Sequence, residues 1–197
     1  LLRFRYTLTV SKKYDIICLS DKSHSGHEKG MVKYTHRKKN GGKLMKTLII
    51  GGVAGGASCA ARLRRLDEKA EIVILERGEF ISFANCGLPY YIGGEITEKS
   101  NLTLQTPESF KARFNIEVRT FSEAVAIDTE NKIVTVKDLK TGEEYAERYD
   151  SLVLSPGASP ICPKIDGIDS DRVFTLRNIP DTMKIKRYID KNHPKSA

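Results

Sequence analysis

From Met45 onward, short apolar runs alternate with polar and charged stretches. Residues 47–50 (TLII) form a continuously apolar run, which is typical of a strand buried within a parallel sheet. Residues 57–66 (ASCAARLRRL) predict a helix, and residues 71–76 (EIVILE) predict a second strand that ends on an acid. Residues 150–158 return as a buried strand ending in a glycine turn. This order of elements predicts an α/β protein with a parallel sheet.

A second pattern of short strands lies between these elements. Residues 116–119, 124–127, 133–137 and 144–148 each have strand character, and turn residues separate the last three runs. They predict a small antiparallel meander inserted into the sheet. The fold class is therefore α/β, a Rossmann-like domain with a small antiparallel meander.

The positive charge of the chain lies in its first segment. The net charge is +8, and residues 1–44 carry 11 Lys and Arg against 3 Asp and Glu, whereas residues 45–197 carry 22 of each. Residues 1–44 lack a helical or strand period and are predicted to be a disordered basic extension. The adjacent glycine codons before Met45 can encode a ribosome-binding sequence, so we expect the native protein to start at Met45. A basic arm for nucleic acid is the alternative.

The cysteines do not form a metal or disulfide framework. The four cysteines are far apart, and Cys18 with His24 and His27 supplies no fourth ligand, so no metal site is expected. No apolar run approaches the roughly 20 residues that a membrane span needs, and there is no signal-peptide pattern. We expect a cytoplasmic protein that binds neither membrane nor nucleic acid.

The loop GGVAGG, residues 51–56, follows the first strand and precedes the helix. Glycine lets a backbone approach a pyrophosphate, the helix N-terminus stabilises its charge, and Glu76 can accept hydrogen bonds from ribose hydroxyls. In the pattern G-x-G-x-x-G, Val53 replaces the middle glycine. The unit predicts an adenine-dinucleotide site; the alternative is that the glycines only ease packing.

Residues 82–94 (SFANCGLPYYIGG) contain one cysteine, and Tyr91 stands where a C-x-x-x-x-C pair would have its second. A lone thiol cannot form an internal disulfide, so it must pair with a small thiol or carry an oxygen. Cys86 precedes a predicted short helix, whose N-terminus can stabilise a thiolate. The alternative is an inert buried cysteine. Cys59 and Cys162 are interpreted as structural.

The segments GGVAGGASCAARLRRLD, SFANCGLPYYIGG, YDSLVLSPGASP and VFTLRNIPDT together resemble the single-cysteine branch of the FAD-dependent pyridine nucleotide-disulfide oxidoreductases. This branch includes coenzyme A-disulfide reductases, NADH oxidases and peroxidases. The resemblance implies that residues 45–190 are the first segment of an FAD-binding domain and that residues 191–197 begin an NAD(P)-binding domain. It also implies a truncated chain and a homodimer when full length. The residues it places against FAD are Gly51, Gly52, Val53, Ala54, Gly55, Gly56, Glu76, Arg77, Ala124, Ser155, Pro156, Gly157, Ala158 and Arg177.

The resemblance further implies the reaction. NAD(P)H would reduce FAD, and electrons would then pass to a mixed disulfide between Cys86 and coenzyme A. The positions implied to touch substrate are Ser58, Arg62, Arg65, Ser82 and Asn85; the first three share one helical face, whose alternative interpretation is a solvated basic surface. An NADH oxidase or peroxidase that uses a Cys86 sulfenic acid remains open. So does an inactive flavin-binding fragment.

Overall fold

The computed structural model describes residues 45–196, together with the backbone of residues 10–11 and 16–18. The chain divides into two compact units. The first, here called the sheet unit, comprises Leu1–Ile81 and Pro107–Pro156, and the second, called the cysteine unit, comprises Ser82–Thr106 and Gly157–Ala197. The strands are β1 (Val10–Ser11), β2 (Ile16–Cys18), β3 (Lys46–Ile50), β4 (Glu71–Leu75), β5 (Glu117–Arg119), β6 (Ser122–Asp128), β7 (Ile133–Asp138), β8 (Glu144–Arg148) and β9 (Ser151–Leu154). The helices are α1 (Ala54–Leu66), α2 (Leu88–Gly93), α3 (Pro107–Phe114) and α4 (Ile179–Asn192).

The sheet unit is built on a sheet of order β1-β2-β9-β3-β4-β5. All neighbouring pairs from β2 to β5 are parallel, and β1 is antiparallel to β2. The predicted α/β class with a parallel sheet is therefore confirmed. Among the helices of the described residues, none is long and apolar enough to cross a membrane.

Alternate residues of β3 and β4 pack on opposite faces of the sheet, as the strand period of two requires. One face, with Ile49 and Ile74, packs against α1 and α3 through Ala60 and Phe110. The other face carries Leu48, Val73, Leu75 and Leu152, and it is covered by Val134, Val136 and Tyr149 of the meander region. Both faces are thus buried, which explains why residues 47–50 read as a continuous apolar run.

The meander differs from the sequence prediction in one respect. β6, β7 and β8 form a separate three-stranded antiparallel sheet, and β5 belongs instead to the parallel sheet. β5 pairs in parallel with β4, which places Arg119 opposite Leu75. The chain leaves this strand through Phe121, whose φ of 55° lies in the left-handed region and turns the backbone into the second sheet.

A buried carboxylate with two half-buried cationic partners connects the second sheet to the first. The Glu147 side chain on β8 is 11% exposed; Lys46 Nζ on β3 lies 2.6 Å from its Oε1, and Arg119 Nη1 on β5 donates to its Oε2. Burial opposes ionisation of Glu147, but the hydrogen bonds from Lys46 and Arg119 outweigh it and lower the pKa of the carboxyl group. One carboxylate therefore connects three strands.

The cysteine unit contains α2, α4 and irregular segments. α2 packs against α4, and Asn178 caps α4 by accepting a hydrogen bond from the Asp181 N–H at 2.8 Å. Residues 155–178 contain no helix or strand.

The predicted disordered extension, residues 1–44, lies mostly outside the described residues. Where the backbone is described, β2 pairs with β9 along Leu152–Leu154, a strand pair that the sequence did not predict. The start of the native protein at Met45 stays a prediction.

Replacing Glu147 with Gln should destabilise the chain. The amide keeps one acceptor oxygen but loses the negative charge and the second acceptor, so one of the two cations loses its partner. The expected loss is about 1 to 3 kcal/mol. Glu144→Gln, an exposed change on the same strand, is the control. Because the folded pKa is lowered, the contribution of Glu147 is present above the unfolded glutamate pKa of about 4.3 and disappears as the pH falls through the folded value. Urea unfolding at several pH values should show a weaker acid dependence for Glu147→Gln. Equal stability of the two variants would contradict this role.

Candidate functional site: a nucleotide cradle and an exposed thiol

Three parallel strands end at the same edge of the sheet. Ile50 pairs with both Leu75 and Leu154, so Gly51, Glu76 and Ser155 follow directly at this edge. The Gly51 N–H donates to the Leu75 carbonyl at 2.8 Å, and the Ser155 N–H donates to the Ile50 carbonyl at 2.8 Å. Ligands of open α/β sheets bind at such carboxyl ends.

The glycines of the loop allow unusually close packing. Gly51 has φ +97°, and a Cβ there would lie 2.0 Å from the Ser155 carbonyl oxygen. A Cβ on Gly56 would lie 1.8 Å from the Gly51 carbonyl oxygen. The loop is therefore held between the end of β9 and the start of α1, and any side chain at these two positions would push them apart. Packing is one task of these glycines, as the alternative interpretation stated.

Val53 stands at the N-cap of α1 in place of the middle glycine. Its φ of −87° is negative, so the position does not need the left-handed conformation that favours glycine, but its ψ of −136° lies outside the usual helical and extended regions. The backbone at this position is therefore unusual for a residue with a Cβ.

The N-terminus of α1 fits an anionic group. Val53, at the N-cap, provides no side-chain cap, and the first turn contains no acid. Ala57 donates the first hydrogen bond of the helical pattern, to the Val53 carbonyl, so the N–H groups of residues 54–56 have no helical acceptor. Such N–H groups and the helix dipole favour a phosphate. These features fit the pyrophosphate of FAD.

Glu76 is fixed by the backbone around it. Its Oε2 accepts the Gly52 N–H at 2.8 Å, and its Oε1 accepts the Gly78 N–H at 2.8 Å. A carboxylate has about four acceptor positions, so two remain for ribose hydroxyls. The sequence pattern identified this acid, but it predicted neither of its two bonds to the backbone.

The remaining sheet-unit candidates surround this edge. Arg77 is exposed, with Nη1 3.9 Å from Glu123 Oε1. Ala124 is half-buried on β6 beside the bulge at Val125, and the strand begins with Ser122 donating its N–H to the Glu76 carbonyl at 3.0 Å. Pro156 is exposed.

In the cysteine unit, Arg177 lies against the glycine turn. Its Nε donates to the Ala158 carbonyl at 2.8 Å, and a Cβ on Gly157, whose φ is +74°, would lie 2.8 Å from Nη2. The turn and the guanidinium predicted for FAD are therefore adjacent within this unit.

Helix α1 presents two kinds of arginine. Ser58, Arg62 and Arg65 are exposed, as their shared helical face predicts. Arg64 instead donates to the Phe114 carbonyl at 2.7 Å and to the Asn115 carbonyl at 2.9 Å, which joins the ends of α1 and α3. Arg64 is structural, whereas Arg62 and Arg65 are accessible to an anion.

The Cys86 segment is anchored on both sides. Before it, Ala84 donates to the Leu102 carbonyl at 2.8 Å, and Leu104 donates to the Ser82 carbonyl at 2.9 Å. Cys86 itself lies in a 3₁₀ turn, residues Asn85–Gly87, that leads into α2. The predicted short helix is present, and the cysteine is exposed, so it is not an inert buried residue.

Two candidate substrate residues flank this thiol. Ser82 adopts a left-handed φ of 46°, and Asn85 Oδ1 is buried without a hydrogen-bond partner among the described residues. An unpaired buried acceptor is costly, so a donor from a bound molecule would satisfy it.

The other two described cysteines differ in access. Burial raises the pKa of the Cys59 thiol on α1, whereas Cys162 is exposed in an irregular segment. Across the described residues, no group of three or more His, Cys, Asp or Glu could hold a metal ion.

A parallel sheet with a glycine loop at its carboxyl edge is typical of dinucleotide-binding proteins. Residues 45–194 match the family described as pyridine nucleotide-disulphide oxidoreductase, and the chain belongs to this family. The predicted family membership is thereby confirmed.

Relatives share substantial sequence with the chain. It is 44% identical over 154 residues to the coenzyme A disulfide reductase of Staphylococcus haemolyticus. The aligned region covers 78% of this chain and 34% of that protein. It is 57% identical to reduced Bacillus anthracis CoADR-RHD, with a TM-score of 0.75 over 78% of this chain and 28% of that chain. It is 38% identical to the NAD-dependent persulfide reductase from A. fulgidus, with a TM-score of 0.71 over 75% of this chain and 28% of that chain. The chain spans about a third of the length of the curated relatives it matches.

Replacing Glu76 with Ala should weaken FAD binding. Loss of a charged acceptor is worth about 1.5 to 3 kcal/mol, or roughly one to two decades in dissociation constant. The variant should stay folded, because both core clusters are unchanged. A fluorescence titration with FAD measures the effect, and Glu79→Ala, an exposed acid three residues away, is the control. Unchanged affinity would make Glu76 a purely structural residue.

Proposed function

We propose that the protein is an FAD-dependent oxidoreductase that uses NAD(P)H to reduce coenzyme A disulfide, or a related thiol disulfide, through Cys86. The observation that carries the proposal is the exposed thiol of Cys86, in a segment where position 91 is Tyr rather than a second cysteine. The name of the Staphylococcus haemolyticus relative supports the same substrate.

The thiol chemistry needs only this cysteine. The Cys86 thiolate attacks one sulfur of coenzyme A disulfide, a Cys86–coenzyme A disulfide forms, and one coenzyme A thiolate leaves. Two electrons then cleave the mixed disulfide, which releases the second coenzyme A and restores the Cys86 thiolate. The anchored backbone before and after Cys86 would limit where the sulfur can lie during repeated turnover.

The glycine loop of residues 51–56, the N-terminus of α1 and Glu76 would hold the flavin. The N–H groups of residues 54–56 would bind the pyrophosphate, and Glu76 would bind ribose hydroxyls, as the uncapped helix and the free acceptor positions favour. FAD, when bound, supplies two-electron transfer between NAD(P)H and the sulfur centre.

Arginines on α1 would bind the phosphates of coenzyme A. The guanidinium group donates paired hydrogen bonds to phosphate oxygens, and Arg62 and Arg65 are exposed and have no ion pair among the described residues. Ser58, Ser82 and Asn85 are proposed as additional substrate contacts.

Other parts of the proposal concern the complete protein. It would bind NAD(P)H through a further domain, form a homodimer and act in the cytoplasm. Since this chain spans about a third of its curated relatives, turnover is to be measured in a longer protein that includes it.

Capture of coenzyme A on Cys86 tests the central step. The 197-residue chain is incubated with coenzyme A disulfide and mapped by mass spectrometry. We expect the adduct at Cys86, because its thiol is exposed and anchored, and no adduct there in Cys86→Ser. Cys162→Ser is the matched control, because Cys162 is the other exposed cysteine among the described residues. This change should leave the Cys86 adduct unchanged.

Three results would contradict the proposal. Equal labelling of Cys86 and Cys162 would indicate unselective thiol exchange. A sulfenic acid at Cys86, with peroxide or dioxygen consumed faster than the disulfide, would favour an oxidase or peroxidase. Purified chain that neither retains nor binds FAD, and so lacks absorbance near 450 nm, would indicate an inactive fragment.

The arginine face is tested separately by titrating the chain with adenosine 3′,5′-bisphosphate, the phosphate-rich end of coenzyme A. Arg62→Ala combined with Arg65→Ala should weaken binding at least about tenfold, because each charge-assisted hydrogen bond contributes roughly 1.5 to 3 kcal/mol. Lys69→Ala combined with Lys111→Ala removes two exposed charges elsewhere in the sheet unit and is the control. Equal weakening by both pairs would show a general effect of charge.

A further inference from the structure

Phe121 adopts a backbone conformation that a bulky residue rarely takes. Its φ is 55°, in the left-handed region where the Cβ is crowded. Such conformations persist only where the surrounding structure holds them, and they cluster at functional sites. Phe121 lies between β5 and β6, in the sheet unit, next to the turn that carries Glu76.

The conformation brings two successive N–H groups onto the Glu76 turn. The Phe121 N–H donates to the Gly78 carbonyl at 3.2 Å, and the Ser122 N–H donates to the Glu76 carbonyl at 3.0 Å. On its other side, the Glu76 N–H donates to the Arg119 carbonyl at 2.9 Å. Both the N–H and the carbonyl group of Glu76 are thus hydrogen-bonded to the segment that joins β5 and β6.

The hairpin between β7 and β8 holds Phe121 in turn. The Leu139 N–H donates to the Phe121 carbonyl at 2.7 Å. Lys140 Nζ lies 4.3 Å from the centroid of the Phe121 ring. The second sheet therefore connects through Phe121 to the edge of the parallel sheet at which Glu76 lies.

We propose that Phe121 is a positioning residue for the dinucleotide site. Its left-handed backbone fixes the turn at residues 76–78, so that the Glu76 carboxylate accepts the Gly52 and Gly78 N–H groups and keeps its other acceptor positions aimed at a ribose. The second part rests on the proposed function of Glu76 in binding FAD.

Phe121→Ala and Phe121→Gly together isolate the backbone effect. Both variants lack the ring, but only glycine takes the left-handed region without cost. Hydrogen exchange of the Gly52 and Gly78 amides, measured by NMR on the flavin-free 197-residue chain, reports the two bonds to Glu76. We expect exchange about five- to tenfold faster in the Ala variant than in the Gly variant. FAD should bind more weakly to the Ala variant by a similar factor.

The matched control is the same pair of substitutions at Lys132, which also has φ 55° and lies in the turn between β6 and β7. There the Ala variant should be globally less stable than the Gly variant, with exchange at Gly52 and Gly78 changed only in proportion to that global loss. Exchange at Gly52 and Gly78 that responds equally to both positions would show a global effect and overturn the proposal. Equal exchange in Phe121→Ala and Phe121→Gly would also overturn it, since the ring rather than the backbone would then be responsible.

Combination with Glu76→Ala separates this proposal from the proposed function. In the Glu76→Ala background, the difference in FAD affinity between Phe121→Ala and Phe121→Gly should disappear. A difference that persists in full means that Phe121 does not act through Glu76. If Glu76→Ala alone leaves FAD affinity unchanged, the ribose role fails, and the exchange of Gly52 and Gly78 still decides whether Phe121 positions the turn.

Discussion

The close approach of Gly51 to Ser155 is the constraint on which the carboxyl-end edge of the parallel sheet depends. A Cβ on Gly51 would lie 2.0 Å from the Ser155 carbonyl oxygen, and one on Gly56 would lie 1.8 Å from the Gly51 carbonyl oxygen. These contacts fix where α1 begins, and its first turn then presents N–H groups that no side chain caps. The same contacts set the position of the exposed arginine face further along α1. Packing and the proposed anion binding are therefore two results of one backbone arrangement rather than competing explanations of the glycines.

Glu76 has a structural role that also suits it to the ribose contact proposed for it. Its two oxygens each accept one backbone N–H, from Gly52 and Gly78. These bonds orient the carboxylate without using all of its acceptor positions. A carboxylate that is already oriented binds a ribose at a lower cost in side-chain entropy than a freely rotating one would. The packing of the glycine loop and the proposed ribose contact thus depend on the same side chain.

The sequence predicted what depends on neighbouring residues and missed what depends on distant ones. The apolar run of residues 47–50, helix α1 and the acid at the end of β4 all follow from local periodicity, and the structure contains each of them. The left-handed conformation of Phe121 has no local signal, because it is held by Gly78 and Leu139 from other parts of the chain. Likewise, the sequence gives Glu147 no visible partner, since Lys46 and Arg119 approach it only after three strands assemble. The assignment of β5 to the meander was wrong for the same reason, since its pairing with β4 is a long-range contact.

Exposure alone does not explain why Cys86 rather than Cys162 is the proposed redox centre, because both thiols are exposed. The difference lies in how their backbones are held. Cys86 stands between a short antiparallel pairing, Phe83 with Thr103, and helix α2, whereas Cys162 lies in a stretch of the described chain without helix or strand. A thiol that exchanges repeatedly with one partner must return to a similar position after each cycle, and an anchored backbone narrows the positions open to it. Cys59 satisfies the anchoring requirement on α1, but burial raises the pKa of its thiol and so disfavours the reactive thiolate. Among the described cysteines, Cys86 alone is both anchored and accessible.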